Sequence, residues 1–293
     1  MMRNVGSSSY GGKGIAAVVG VGPKLGRSVA RKFAHEGYTV AILARDLGRL
    51  SKVAEEIARE EKAQVFAIRI DCADPRSVRE AFEGVLSLGF VEVLVYNAYH
   101  SSSSSYTSHH PTSFTHIPFQ SFQTSISVSV FAAFLCAQQV IPGMMEKGKG
   151  TILFTGCSAS LNGVAGFSEL CNIRKIFIKK IGIGTGCGKF ALRALSQCLA
   201  KEYEAFGIHV AHVIIDGVVG PPREIYIVPP RGMVVDQSFN VGGEDGEGEG
   251  EGENSGVMGM DPDVLAQTYW YLHVQDRRAW THELDIRPSN TRF

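Results

Sequence analysis

The stretch IAAVVGVGPKLG, residues Ile15 to Gly26, indicates how this chain begins to fold. Its apolar part has no polar alternation, which is typical of a buried parallel strand, and we predict a strand over 15–22. Glycines follow, and Leu25, Val29 and Phe33 then recur at helical spacing, which predicts a helix over 24–37. A strand, a glycine-rich turn and a helix in this order are the opening unit of a parallel α/β sheet.

The same alternation continues along the chain. We predict strands over 38–44, 65–70, 91–98, 151–155, 208–215 and 282–286, and helices over 47–61, 75–88, 119–147, 190–206 and 262–274. The helix over 119–147 is expected to break near Pro142. We therefore expect one α/β domain over 1–293, a doubly wound, mostly parallel sheet of the Rossmann type with about seven strands and helices on both faces.

Composition excludes several classes of protein. The chain has 293 residues, with 29 Lys and Arg against 29 Asp and Glu, so it lacks the positive excess that nucleic-acid binding requires. We expect no membrane span, because no apolar run approaches the necessary length of about 20 residues. The six cysteines form no C-x-x-C pair, which argues against a metal site and favours reduced thiols in the cytoplasm.

Some segments interrupt the alternation. We expect 1–13, 101–117 and 232–260 to be flexible, the last because Gly and Glu alternate over 242–252. The Ile- and Lys-rich piece 172–186 stands where a short connection is expected, and we interpret it as an insertion. A substrate lid, an oligomer contact and an unusual splice remain alternatives for that piece.

The glycine-rich turn predicts an anion site. Gly20 permits a tight turn, and Gly26 permits close packing of the helix that begins near Leu25. The free N–H groups at the start of that helix and its positive dipole end suit a diphosphate, which would also approach Gly22 and Lys24. A glycine-rich turn without a ligand is the alternative.

The end of the second strand bears on which dinucleotide would bind. An acidic residue there would hold a ribose 2′-hydroxyl, but the strand ends at Arg45. An arginine suits a 2′-phosphate, and Lys24 would add a second cation nearby, so the sequence favours NADP over NAD. Alternatively, Arg45 is a solvated loop residue and Asp46 only caps the next helix.

These residues together resemble the short-chain dehydrogenase/reductase family over nearly the full length. The pattern Gly20-x-x-x-Lys24-x-Gly26 is similar to that family's glycine loop, with Lys24 in place of the middle glycine. The resemblance implies further cofactor contacts at Asp71 and Cys72 after strand three, at Asn97 and Ala98 after strand four, and at Gly217, Val218 and Val219 after strand six. Asp71 would bind the adenine, and the backbone of the last two residues would meet the carboxamide.

The resemblance also implies a catalytic group. Lys189 would hold the nicotinamide ribose, and Ser158, or less favourably Ser160, would bind the substrate oxygen. The family's tyrosine four residues before the lysine is missing, because Thr185 stands there, or Leu170 if 172–186 is an insertion.

Other candidates for the chemistry are weaker. Ser129 occupies the place of the family's asparagine on the long helix. The remaining candidates are Tyr99, which stands where the family has glycine, together with His109, His110, Cys157, Cys171 and Cys187.

Two functions follow from this pattern. The resemblance implies an NADP-linked oxidoreductase that moves hydride to or from a small carbonyl or alcohol, and that forms a homo-oligomer through 119–147 and 190–206. The missing tyrosine leaves open a non-catalytic dinucleotide-binding protein that acts as sensor or scaffold. A methyltransferase with a similar glycine turn is a more distant third.

Overall fold

The computed structural model describes residues 13–100, 118–162, 186–220 and 259–289. The elements in these ranges are β1 (Ile15–Val19), α1 (Leu25–His35), β2 (Thr39–Ala44), α2 (Leu47–Glu61), β3 (Val65–Arg69), α3 (Pro75–Ser87), β4 (Val91–Tyr96), α4 (Phe119–Ile126), α5 (Ala132–Lys147), β5 (Gly150–Cys157), α6 (Gly186–Tyr203), β6 (Ile208–Ile215), α7 (Pro262–His273) and β7 (Glu283–Ile286). The seven strands form one sheet in the order β3-β2-β1-β4-β5-β6-β7, and every neighbouring pair is parallel. The predicted fold class is confirmed.

Local chemistry explains where several helices start. Asp46 accepts a hydrogen bond from the Arg49 amide at the start of α2. Asp74 and Asp261 cap α3 and α7 in the same way, each followed by a proline at the first helical position. These caps satisfy backbone donors that would otherwise lack partners, so the helix starts follow from single residues.

The sheet separates two apolar layers. Helices α1, α2 and α7 cover one face, where Phe33 and Tyr269 are fully buried. Helices α3, α5 and α6 cover the other face, where Phe82 and Phe154 are fully buried. Because both faces are covered, the central strands are mainly apolar, and all eight residues of β6 are buried.

The expected break at Pro142 is wrong. Pro142 lies inside α5 on its exposed side, one turn after the exposed Gln138, so the carbonyl that loses its partner faces solvent. The helix is distorted instead by a π-helical turn, Ser127–Phe131, between α4 and α5. The Tyr96 hydroxyl donates a hydrogen bond to the Val128 carbonyl in this turn and so supports the wider backbone.

The span Phe119–Lys147 is also more apolar than expected. Among the described residues it is one helix that is long and apolar enough to cross a membrane by length and composition, so the expectation that no such run exists is wrong. Half of an 18-residue stretch within this span is buried inside the fold, and α5 packs against α3, β4 and β5. That burial is what the core helix of a folded domain shows.

Helix α6 begins earlier than predicted. It starts at Gly186 rather than at Phe190, and so includes the last residue of the proposed insertion. The weak helix propensity of Gly186 and Gly188 conceals this start in the sequence. The remainder of the insertion and most of the expected flexible segments lie outside the described residues.

Candidate functional site

The order of the sheet reverses between β1 and β4, and the glycine loop lies at this switch point. Gly20 has φ +86°, and a Cβ added there would lie 2.5 Å from the Ala98 nitrogen. The Asn97 side-chain amide donates to the Gly20 carbonyl at 3.0 Å. Gly20, Asn97 and Ala98 therefore join the ends of β1 and β4 into the floor of a crevice.

The start of α1 forms a cradle above this floor. A Cβ at Gly26 would lie 2.8 Å from the Val21 Cα, so a glycine is required for α1 to approach the loop. Over Gly22, an added Cβ would have no atom of the described residues within 4 Å, apart from its chain neighbours. Within the described ranges, the Leu25 and Gly26 amides make no backbone hydrogen bond, so they are available to an anion.

Lys24 connects two sides of the crevice. Its Nζ donates a hydrogen bond to the Val219 carbonyl at 2.6 Å, which ties the glycine loop to the segment after β6. Arg45 follows β2, on the other side of β1. The Lys24 ammonium is therefore directed towards the segment after β6, and the expectation that Lys24 and Arg45 together face a 2′-phosphate stays a prediction.

Arg45 is exposed at the carboxyl end of β2. It makes no hydrogen bond or ion pair with any residue the structure describes, while Asp46 caps α2. Two residues past the end of β3, the Asp71 carboxylate accepts a hydrogen bond from the Ala73 amide at 2.9 Å, and the Asp71 amide donates to Ser77 Oγ at 2.9 Å. Both predicted adenosine-side residues are thus at the same edge of the sheet as the glycine loop.

Cys72 follows Asp71 and directs its side chain into the core. Its thiol packs against the core and interacts with the Tyr96 hydroxyl, and burial raises its pKa to about 11. The side chain is therefore directed into the core, so only its backbone remains near Asp71. The sequence could not show this, because a half-apolar thiol suits either side of a strand end.

The segment after β6 is held by Met260. The Met260 amide donates to the Val218 carbonyl at 2.6 Å, and Val219 pairs with Met260 in a parallel bridge. A Cβ at Gly217 would lie 2.6 Å from the Met260 sulfur. The predicted Gly217, Val218 and Val219 thus lie in a backbone turn in which the Val218 and Val219 carbonyls already have partners within the chain.

The two candidate serines follow β5. Ser160 is fully buried and its hydroxyl donates to the Cys157 carbonyl at 2.7 Å. Ser158 is half-buried, and its hydroxyl has no hydrogen bond to the described part of the chain. Of the two, Ser158 is the one with a hydroxyl available to a substrate.

Lys189 contacts the carboxyl end of β5, the strand that precedes the two candidate serines. It is 5% exposed, and its Nζ donates to the Thr155 carbonyl at 2.7 Å. Burial lowers the pKa of this ammonium. The Thr155 hydroxyl is bonded to the Tyr269 hydroxyl at 2.7 Å. The structure therefore brings Lys189 to Thr155 near the end of β5, three residues before Ser158, which opens the 3₁₀ turn.

The other candidates are scattered. Tyr99 is 47% exposed just past β4, and Ser129 is buried in the π-helical turn that packs against α6. Cys157 is half-buried and Cys187 is exposed. The positions that lie outside the described residues are Thr185, Leu170, Cys171, His109 and His110.

One group at this edge has no counterpart in the sequence predictions. It consists of His212 in β6, Arg193 in α6 and Glu283 in β7. The signal that could have found it is the presence of two histidines, His209 and His212, inside the otherwise apolar strand Ile208–Ile215.

With the crevice and its glycine loop in place, comparison with known proteins becomes informative. The sequence pattern of the short chain dehydrogenase family matches residues 14–171. This chain belongs to the short-chain dehydrogenase family. The family is one of oxidoreductases, and the match covers the glycine loop, the crevice floor and Ser158.

The curated proteins similar to this chain share about a quarter of its residues over the aligned regions. A very-long-chain 3-oxoacyl-CoA reductase from Aspergillus clavatus is 25% identical over 249 residues, which are 81% of this chain and 65% of the relative. The human protein of the same name is 26% identical over 215 residues, or 72% of this chain and 62% of that protein. The chain thus spans less than two thirds of the length of these relatives.

Solved structures support the fold. A short-chain dehydrogenase from Rhodopseudomonas palustris has a TM-score of 0.68 and 25% identity, covering 94% of this chain and 98% of that one. L-sorbose reductase from Gluconobacter frateurii, complexed with NADPH and L-sorbose, has a TM-score of 0.67 and 19% identity, covering 93% and 94%. The second likeness shows the fold alone.

Proposed function

We propose that this chain is an oxidoreductase that transfers hydride between NADP(H) and a small carbonyl or alcohol. The observation that carries the proposal is the open cradle over Gly22 at the start of α1, with the exposed Arg45 after the neighbouring strand. The L-sorbose reductase complexed with NADPH, and the relatives named 3-oxoacyl-CoA reductases, support this choice of chemistry.

Different residues would bind different parts of the cofactor. The Leu25 and Gly26 amides would bind the diphosphate, and the Lys24 ammonium would lie on its β6 side. Arg45 would pair with the 2′-phosphate, and Asp71 would bind the adenine. When bound, such a cofactor donates or accepts the hydride.

The protein's part in the chemistry falls to two side chains. Lys189 would hold the nicotinamide ribose, which requires its ammonium to give up the Thr155 carbonyl. Ser158 would donate a hydrogen bond to the substrate oxygen and stabilise the charge that develops there. Water or a further side chain would supply the proton that the family's missing tyrosine does not.

Binding followed by turnover tests the proposal. NADPH and NADH are titrated by cofactor fluorescence, and the saturated protein is then mixed with a panel of ketones, aldehydes and 3-oxoacyl thioesters. We expect tighter binding of NADPH and its oxidation by at least one carbonyl. Tight binding without any oxidation would instead favour the non-catalytic dinucleotide-binding protein. Failure to bind either cofactor at millimolar concentration would contradict both.

We also propose that the protein is a homo-oligomer and works in the cytoplasm. Phe131 and Phe134 of the long helical span are 55% and 47% exposed, and Phe190 on α6 is 41% exposed. Such large apolar side chains on neighbouring helices suit a face shared between copies. No two of the five cysteines within the described residues form a disulfide with each other, as expected in a reducing compartment.

A further inference from the structure

The segment after β6 is anchored on the side of β7. The Asp216 amide donates a hydrogen bond to the Ile286 carbonyl at 2.9 Å, which continues the pairing of β6 with β7. Oδ2 of Asp216 also lies 3.6 Å from Nη1 of Arg287. These contacts fix the beginning of the segment on the side away from the glycine loop, because β4 and β5 separate β1 from β6 in the sheet.

The remainder of the segment is held by a short backbone pairing. The Met260 amide donates to the Val218 carbonyl at 2.6 Å, and the Gly220 amide donates to the Met260 carbonyl at 2.9 Å. A pairing with so few backbone hydrogen bonds opens easily unless other contacts support it.

Lys24 supplies such a contact from the glycine loop. Its side chain is half-buried, and its Nζ donates to the carbonyl of Val219, which lies between the two residues that are bonded to Met260. An ammonium has three donors, so the bond to Val219 leaves two for other acceptors. The Val219 carbonyl is a neutral acceptor, whereas an anion in the cradle would give the ammonium a partner of opposite charge.

We propose that Lys24 is a positioning residue that couples the two halves of the cofactor site. It holds the segment after β6 towards the glycine loop, and a bound diphosphate strengthens this tie because the ammonium then bridges the anion and the Val219 carbonyl. The nicotinamide half would extend from the glycine loop to Lys189 at the end of β5, the strand next to β6, and so lie beside this segment. The inference rests on the proposed function, because it concerns the cofactor that this function uses.

Hydrogen exchange tests the tie in the protein without cofactor. The amides of Met260 and Gly220 report on it, because they are the donors of the short pairing. We expect both to exchange about tenfold faster in Lys24→Met than in wild type, because a hydrogen bond from a charged donor is lost. Lys52→Met is the matched control, since Lys52 is exposed on α2, and it should leave both rates unchanged. Unchanged rates in Lys24→Met would overturn the proposal.

A comparison of two ligands separates the coupling from simple binding of the diphosphate. NADPH and 2′-phospho-ADP-ribose share the adenosine half and the diphosphate, but only NADPH has a nicotinamide. Calorimetry should show that Lys24→Met weakens NADPH about tenfold more than it weakens 2′-phospho-ADP-ribose, because only NADPH uses the segment after β6. Lys24→Arg keeps a cationic donor and should restore part of the difference. Equal losses of the two ligands would overturn the coupling.

Failure of this inference can be distinguished from failure of the proposed function. A wild type that binds NADPH, together with equal losses of the two ligands in Lys24→Met, contradicts only the role of Lys24. A wild type that binds neither ligand contradicts the proposed function and the coupling with it.

Discussion

The crevice has two edges that are built differently. The cofactor edge, formed by the ends of β1 to β4, is shaped by backbone: Gly20 and Gly26 fit where a Cβ would clash with neighbouring main chain. The chemistry edge, formed by the ends of β5 and β6 and the start of α6, is shaped by buried side chains such as Lys189 and His212. Backbone geometry is visible in a sequence as glycine, while side chains that meet from distant elements are not.

The largest effect is expected from a substitution at the cofactor edge. Gly20→Ala places a Cβ 2.5 Å from the Ala98 nitrogen at φ +86°, so we expect a loss of stability of about 3 kcal/mol or more and no NADPH binding. Gly37→Ala is the control, because its φ is +85° but nothing lies within 4 Å, and it should cost only about 1 kcal/mol. Thermal unfolding and cofactor titration measure both. Equal losses would show that close approach to β4 is unimportant.

A change at the chemistry edge should leave the cofactor edge intact. We expect Ser158→Ala to lower kcat/KM about 100-fold with unchanged affinity for NADPH, because a donor to the substrate oxygen is lost. Ser160→Ala removes the bond to the Cys157 carbonyl and should cost about 1 kcal/mol of stability with little change in kcat/KM. If steady-state kinetics showed a large loss of kcat/KM for Ser160→Ala and little change for Ser158→Ala, Ser160 would be the residue that binds the substrate oxygen.

Association between copies should depend on the helices that flank the chemistry edge. Phe134→Glu is expected to shift the protein to monomers, because it puts a charge on the proposed shared face. Tyr271→Glu is the matched control, since Tyr271 is 59% exposed on α7, across the sheet, and should leave association unchanged. Sedimentation over a dilution series measures both. A wild type that is monomeric at every concentration would contradict this interface.

The pH dependence of stability has a definite sign. Burial lowers the pKa of His212 and of His273 from 6.5 to about 4. The unfolded chain therefore binds more protons between these values, so the free energy of unfolding should fall as the pH drops from 6.5 to 4, on the order of 1 kcal/mol per pH unit for each histidine. Urea unfolding at several pH values measures the slope. The free energy of unfolding of the His273→Gln variant should depend less steeply on pH. An unchanged slope would show that a group other than His273 causes the pH dependence.

The sequence predicted the fold better than the site. The bounds of α2 and β6 match the prediction residue for residue, because Asp46 marks the start of α2 and a mainly apolar segment marks β6. The fold class, the parallel arrangement of the strands and the glycine loop also followed from local sequence patterns. The contact of Lys24 could not be predicted in this way, because its partner Val219 is 195 positions away in the sequence. The Arg193–Glu283 ion pair could not be predicted either, because it joins residues 90 positions apart.

The most direct test of the central claim compares both nicotinamide dinucleotides on the same protein. Wild type should bind NADPH more tightly than NADH, and Arg45→Ala should weaken NADPH about tenfold or more while leaving NADH unchanged, because only one carries the 2′-phosphate. Lys24→Met is the matched control and should weaken both by a similar factor. Calorimetric titration that detects neither cofactor, or equal losses of both in Arg45→Ala, would contradict the account.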